Sequence, residues 1–155
     1  MDANERAELI AQYRGGVAEV ERALEGADDD ELDAAPADGG WSPRMVVHHL
    51  ADSETNSYIR VRKLLAEDDT RIQGYDEATF AVRLHYDRPI EASLAVFRAV
   101  RASTAELLDR LGPEDWGRTG THSESGAYPL DDWLRIYASH GHDHADQIRR
   151  ARAGA

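Results

Sequence analysis

The chain has 155 residues, of which 41% are hydrophobic and 31% charged, so it can bury one core and is neither a disordered tail nor a membrane protein. Its net charge of −12 disfavours binding to nucleic-acid phosphates, and the absence of cysteine excludes disulfides, iron–sulfur clusters, thiolate zinc sites and a cysteine nucleophile. No apolar run approaches the ~20 residues of a membrane-spanning helix, and the start of the chain lacks the layout of a signal peptide, so we expect a cytoplasmic protein.

The first two long segments are predicted to be amphipathic helices. In the first segment, apolar residues at steps of three and four form one stripe: Ile10, Tyr13, Val17, Val20 and Leu24. Gly26 and the acidic run after it are predicted to end this helix. Ser42 is a natural N-cap and Pro43 suits the first helical position, so a second helix is predicted from there to about Glu67.

A long connection is predicted over residues 68–88, with a short helix between Asp76 and Arg83. A third amphipathic helix is predicted from Pro89 onwards, and Gly112, which precedes a proline, is predicted to stop it. The length of the first connection exceeds that of the usual turn between bundle helices.

A second polar connection is predicted over residues 114–128, and Pro129 is predicted to open a fourth helix. No segment is predicted to be a strand, because alternation of apolar and polar residues never persists. The four amphipathic helices predict an all-α fold, a four-helix bundle that residues 1–155 form as a single domain. The two long connections allow a crossover topology or a lid.

Two histidines of the predicted fourth helix have the spacing of a metal-binding pair. His140 and His144 lie on one helix face, about one turn apart, where two imidazoles can chelate one ion. They fall on the core-facing stripe between Tyr137 and Ile148, where unpaired imidazoles are costly. The alternatives are a solvated pair or partners of the helix dipole. On a strand, His142 would share a face with both, but the helical periodicity of the segment argues against a strand.

A third histidine lies on the interior stripe of the predicted second helix. His49 follows Val46 by three residues, in keeping with helical spacing. The next residues at this spacing, Ser53 and Ser57, are small and polar rather than apolar. Small polar residues at core positions leave unfilled volume, which a pocket beside a metal ion requires. An interior histidine here favours the interpretation of the pair on the fourth helix as a metal site.

The other four histidines are predicted to lie away from this site. His48 is one residue off the interior stripe and is interpreted as peripheral, and His142 is predicted to face outward. His85 and His122 fall in the predicted connections and are interpreted as surface residues.

Three motifs follow one another along the chain: Trp41-Ser42-Pro43, His49-Leu50-Ala51-Asp52-Ser53-Glu54 and His140-x-x-x-His144-x-x-Gln147-Ile148. In this order they resemble the DinB-like superfamily, which includes YfiT-like metal-dependent hydrolases and bacillithiol or mycothiol S-transferases. The resemblance spans nearly the whole chain. It implies a bundle with up-down-down-up connectivity, a metal site at His49, His140 and His144, and a homodimer.

A site of three neutral histidines leaves a coordination position of a divalent ion open, as in catalytic rather than structural zinc sites. A water bound there has its pKa lowered to about 7, and a bound thiol is stabilised as its thiolate. Because the chain has no cysteine, any thiol must arrive as a small-molecule co-substrate. Imidazole ligands suit several metals; we expect zinc, with nickel or iron as alternatives.

Three polar residues near the histidines are candidates for a supporting role. Asp52, three residues after His49, is predicted to be catalytic, either by holding the imidazole or by accepting a proton. The alternative is that Asp52 is an ordinary polar helix residue or forms an ion pair with an arginine. Glu54 lies well round the helix from His49 and carries less weight, and Gln147 is predicted to support His144 or to orient the helix.

The sequence therefore predicts a metal-dependent enzyme, a small-thiol S-transferase or a hydrolase, that acts on a small-molecule substrate as a homodimer without nucleic-acid or membrane partners. The alternative is a non-catalytic metal- or ligand-binding stress-response protein, because no nucleophile or general acid is clearly placed.

Overall fold

The computed structural model describes residues 1–36 and 39–154. Within these residues the helices are α1 (Ala3–Leu24), α2 (Asp29–Leu32), α3 (Pro43–Ala66), α4 (Glu77–Arg83), α5 (Glu91–Leu108) and α6 (Leu130–Arg152), with one 3-10 turn at Asp115–Gly117. The strands are β1 (Arg71–Ile72), β2 (Thr119–His122) and β3 (Gly126–Pro129). The four long helices α1, α3, α5 and α6 form the predicted bundle.

Side-chain caps explain where several helices begin. Asp2 and Glu5 form a reciprocal capping box at the start of α1, and the Ser42 and Asp76 side chains accept hydrogen bonds from backbone N–H groups of α3 and α4. The acidic run after α1 forms the short helix α2, which the sequence analysis did not predict. Asp28 caps it, and the acidic residues occupy its first turn, where the helix dipole favours negative charge.

Helices α1 and α6 lie side by side and run in the same direction. The Arg6 guanidinium donates two hydrogen bonds to the Asp131 carboxylate near the start of both helices, at 2.8 and 3.0 Å. Near their ends, Arg149 donates to Glu19 at 2.7 Å. Because residue numbers rise together along the contact, the two helices are parallel.

Helix α3 runs antiparallel to α6 and parallel to α5. The contacts that show this are Ser57–Trp133 and His49–His144 between α3 and α6, and His48–Ser93 and Arg62–Thr104 between α3 and α5. In chain order, the four long helices therefore run up, down, down and up.

The two connections contain a small sheet, which corrects the prediction that no segment is a strand. β1 pairs with β2 in parallel, and β2 pairs with β3 in antiparallel register. Each strand has only two or four residues, too few for alternation to show in the sequence. The buried side chains of Ile72 and Tyr128 join the sheet to the apolar core of the bundle. A Cβ atom on Gly120 would lie 2.8 Å from the Thr70 carbonyl oxygen, so only glycine fits there.

The core has two apolar clusters with a polar layer between them. One cluster includes Tyr13, Leu64 and Trp133, and the other includes Val20 and Phe97. Between the clusters along the long helices lie buried polar and charged side chains: His49, Ser53, Glu54, Ser57, Arg101 and Thr104. Burial of such groups is costly unless they are paired, so this layer is where function is expected. None of the helices described is long and apolar enough to cross a membrane.

Candidate metal centre

Three histidines from two helices meet in the polar layer. One nitrogen from each of His49, His140 and His144 lies within 4.8 Å of the others. The ring centroids are separated by 4.6 to 5.4 Å. The helical interpretation of the late segment is confirmed, since α6 is continuous from Leu130 to Arg152. Its four-residue spacing places two of the rings on the face that packs against α3.

The Nδ1 atoms of the two α6 histidines are held by neighbouring side chains. His140 Nδ1 lies 3.3 Å from Glu54 Oε1, and His144 Nδ1 lies 2.8 Å from Gln147 Oε1. An oxygen acceptor at Nδ1 favours the tautomer with the proton on that atom, which leaves the Nε2 lone pair available to a metal ion. The prediction that Gln147 supports His144 is confirmed.

His49 is buried, and its Nδ1 atom has no hydrogen-bond partner among the described residues. Burial, with help from the two other imidazoles, lowers the pKa of His49 to about 3. Burial also lowers the pKa of His144 to about 4. Both rings are therefore neutral at pH 7, which is the form that binds metal. A buried nitrogen without a partner, beside two imidazoles with fixed tautomers, fits a divalent metal ion.

Glu54 connects the histidines to a buried arginine. Its carboxylate forms an ion pair with Arg101, and both side chains are almost fully buried. The Arg101 guanidinium also donates to the backbone carbonyls of Tyr13 and Tyr137 and lies 3.8 Å from the centre of the Tyr13 ring. The Glu54 carboxylate on α3 thus contacts His140 on α6 and Arg101 on α5, and Arg101 in turn contacts the backbone of α1 and α6.

From the sequence, Asp52 is the preferred candidate for an imidazole partner and Glu54 carries less weight. In the structure, Glu54 is the carboxylate that contacts a site histidine. The sequence does contain a signal for the role of Glu54. Arg101 follows Phe97 by four residues and precedes Thr104 by three, so it lies on the buried face of α5. A charge on a buried stripe requires a partner.

Asp52 does not hold His49. Its carboxylate accepts a hydrogen bond of 2.7 Å from the Tyr86 hydroxyl, which belongs to the connection between α4 and α5. Burial and this carboxylate both raise the pKa of Tyr86. The expectation that Asp52 fixes the His49 imidazole is therefore wrong, because Asp52 is directed to another partner. Its use as a proton acceptor stays a prediction.

The other histidines lie outside the cluster. His48 is fully buried, not peripheral, and its two ring nitrogens contact Ser93 Oγ at 2.7 Å and the Arg88 carbonyl at 2.9 Å. His142, predicted to face outward, is half-buried, and its Nε2 lies 2.8 Å from the Gln12 carbonyl. His85 is exposed, as predicted.

A cavity of about 150 Å³ lies near the site, lined by residues adjacent to the three histidines and by His122, but not by the three histidines themselves. Ser53, one helical turn after His49, lines it, and so does Tyr137, whose ring centroid is 5.6 Å from that of His140. The prediction of open volume near the site holds for Ser53. It fails for Ser57, whose hydroxyl accepts a 3.0 Å hydrogen bond from the Trp133 indole and so contributes to the core.

The sequence profile of the DinB superfamily matches residues 12–148, which is most of the chain. The chain belongs to the DinB superfamily. The matched range contains His49, His140 and His144.

Two curated relatives of this DinB-superfamily chain carry the name "Putative metal-dependent hydrolase". The relative from Oceanobacillus iheyensis is 40% identical over 120 residues, covering 77% of this chain and 70% of the relative. The relative from Bacillus mycoides is 35% identical over 134 residues, covering 86% and 78%. Among solved structures, YfiT from Bacillus subtilis, described as "a probable metal-dependent hydrolase with an unusual four-helix bundle topology", superimposes with a TM-score of 0.90 at 30% identity, covering 97% of this chain and 87% of YfiT.

Proposed function

We propose that this protein is a divalent-metal-dependent hydrolase of a small molecule and that His49, His140 and His144 hold the ion. The observation that carries the proposal is the buried, unpartnered Nδ1 of His49, whose ring packs against two imidazoles that Glu54 and Gln147 contact at their own Nδ1 atoms. A divalent ion held by three histidines supplies a bound water with a pKa near 7 and a Lewis acid for a carbonyl or phosphoryl oxygen.

The protein's own groups prepare the site for this chemistry. Glu54 and Gln147 orient two imidazoles, and Arg101 holds the Glu54 carboxylate in place through a buried ion pair. The Trp41 ring, 5.0 Å from the His49 ring, covers that histidine and limits access of water to it. The substrate binds in the adjacent cavity between α3, α6 and the two connections.

Zinc is the metal we propose, with nickel or iron as the ions to compare, because neutral imidazoles accept all three. Thiol transfer is the second candidate reaction. A chain without cysteine is compatible with it, provided that a small-molecule co-substrate supplies the thiol. The homodimer implied by the resemblance is also part of this proposal, and sedimentation of the untagged protein tests it.

Metal content tests the site directly. The untagged protein is purified and its metal is measured per chain, together with the variants His49→Ala, His140→Ala and His144→Ala. We expect bound metal in the wild type and its loss from each variant. His85→Ala, which removes an exposed histidine, is the matched control and retains the metal. Full occupancy in all three variants contradicts the proposed site.

Activity then separates the reaction classes. The metal-loaded protein is assayed against ester, amide and phosphoester libraries, and separately against an electrophile with bacillithiol, mycothiol or glutathione. Hydrolysis that is lost in His140→Ala supports the hydrolase, and thiol-dependent turnover without hydrolysis supports the transferase. A metal-loaded protein that does neither supports the non-catalytic binding protein.

A further inference from the structure

The cavity near the histidines contains an arginine without an acidic partner. The Arg60 guanidinium donates to the Tyr137 hydroxyl at 3.2 Å and to the Gln73 carbonyl at 3.0 Å. A guanidinium has five N–H donors, so most of its capacity remains unused by the described residues. Glu77 and Glu124 also line the cavity, but neither forms an ion pair with Arg60.

A second donor in the cavity is also unused. The Tyr75 hydroxyl is buried and has no hydrogen-bond partner among the residues that the structure describes. A buried hydroxyl without a partner is unfavourable, so an acceptor supplied by a ligand would stabilise it. The Tyr137 hydroxyl, which accepts the hydrogen bond from Arg60, keeps a proton of its own to donate. Glu77, His122 and Glu124 also line the cavity, but in the described part of the chain none of them forms a hydrogen bond with Arg60 or Tyr75.

We propose that this cavity binds a carboxylate group of the substrate, held by Arg60 and by the hydroxyls of Tyr75 and Tyr137. The planar guanidinium matches a carboxylate in geometry and charge. The exposed Glu77 and Glu124 at the cavity repel anions of higher charge, so a single negative charge fits better than a phosphate dianion.

This inference rests on the proposed hydrolase function. In that enzyme, Arg60 and the two tyrosine hydroxyls would help to select the substrate. Ser53 lies between the cavity and His49 along α3, and Tyr137 contacts both Arg60 and the ring of His140. A carboxylate at Arg60 therefore places the rest of the molecule toward the three histidines. The proposed substrate class is therefore a small carboxylic acid.

Acetate, acetamide and inorganic phosphate are the probes. Each is titrated into the metal-free, full-length protein at constant ionic strength, and binding is followed by amide chemical shifts in two-dimensional NMR. We expect saturable shifts at Gly74 and Tyr75 with acetate, no such shifts with neutral acetamide, and weaker binding of phosphate than of acetate. Because no metal is present, this result does not depend on the metal site, and His140→Ala is expected to bind acetate as the wild type does.

Variants assign the binding to the three donors. Arg60→Met is expected to weaken acetate binding tenfold or more, since it removes a charged donor. Tyr75→Phe removes only an unpartnered hydroxyl, so it is expected to fold normally and to bind acetate about threefold to tenfold more weakly. Arg62→Met is the matched control and is expected to leave binding unchanged, because Arg62, two residues further along the same helix, donates instead to Ser103 and Thr104.

The inference is wrong if acetate causes no saturable shift near Tyr75, if acetamide causes equal shifts, or if phosphate binds more tightly than acetate. It is also wrong if Arg60→Met and Arg62→Met affect acetate binding equally. Loss of the metal site in the experiments above, with acetate binding intact, would contradict the proposed hydrolase and leave the carboxylate site standing.

Discussion

The Glu54 carboxylate lies 3.3 Å from Nδ1 of His140 and at the same time pairs with the buried guanidinium of Arg101. The pair links a candidate metal ligand on α6 to charges on α3 and α5. A carboxylate that orients a metal-binding imidazole makes that imidazole a better ligand. A network of this kind can be tested by removing one charge at a time.

Glu54→Gln is expected to lower the free energy of unfolding by about 3–5 kcal/mol, because it leaves the buried charge of Arg101 without its counter-ion. Urea unfolding at pH 7 measures the change. The control is Glu8→Gln, which removes an exposed carboxylate of α1 and is expected to change little. A loss below about 1 kcal/mol in Glu54→Gln would show that Arg101 is stabilised by its backbone contacts alone.

Gln147→Ala is expected to weaken metal binding by about tenfold to a hundredfold, because the His144 ring loses the oxygen that holds its Nδ1–H group. Competition with a chromogenic chelator measures the dissociation constant. Stability without metal is expected to change little. Arg150→Ala, an exposed position on the same helix, is the control. Equal affinities in Gln147→Ala and in the wild type would mean that the ring needs no such support.

Gly141→Ala is expected to destabilise the protein by about 1–3 kcal/mol, although alanine favours helix over glycine. The new Cβ would lie 3.0 Å from the Gly16 Cα and 3.2 Å from the Gly16 carbonyl oxygen, and backbone atoms cannot move aside as a side chain can. Thermal unfolding measures the effect. Gly15→Ala is the matched control: its Cβ meets only the His142 ring, at 3.5 Å, so the variant is expected to be neutral or stabilised. The same shift in both variants would contradict a close α1–α6 contact.

The hydrogen bond from Arg6 lowers the pKa of Asp131, so the charged carboxylate stabilises the folded state. This contribution is complete above the unfolded-state pKa of about 3.9 and is lost as the pH falls through the lower, folded-state pKa. Asp131→Asn is therefore expected to lose about 1 kcal/mol at pH 7, with a smaller difference from the wild type below pH 3. Urea unfolding at both pH values measures this. Asp146→Asn, which removes an exposed ion pair on the same helix, is expected to show little effect at either pH. If the stability difference between Asp131→Asn and the wild type grew as the pH fell, the stabilising role of the charged Asp131 carboxylate would be contradicted.

The parts of the site that lie on one helix could be predicted from the sequence. The pairing of His140 with His144 and the support of His144 by Gln147 follow from helical spacing alone. His49 could be placed because it lies on an apolar stripe. The bundle could be predicted for the same reason, since each long helix shows its own apolar face.

The parts that depend on contacts between helices could not be predicted. Angular distance from His49 made Asp52 the better candidate, but Glu54 bonds to a histidine on another helix and to Arg101 on a third. Which faces meet depends on packing, and a single helical wheel does not contain that information. The small sheet was missed for a different reason, because its strands are shorter than the window over which alternation can be recognised.

The walls of the cavity come from two kinds of structure. Ser53, Arg60 and Tyr137 belong to the same helices as the histidines, whereas residues 74–77 and the turn between β2 and β3 belong to the connections. Loops tolerate sequence change far better than packed helices do. Substitutions in the two connections can therefore change the shape and charge of the cavity while the three histidines in the bundle stay the same.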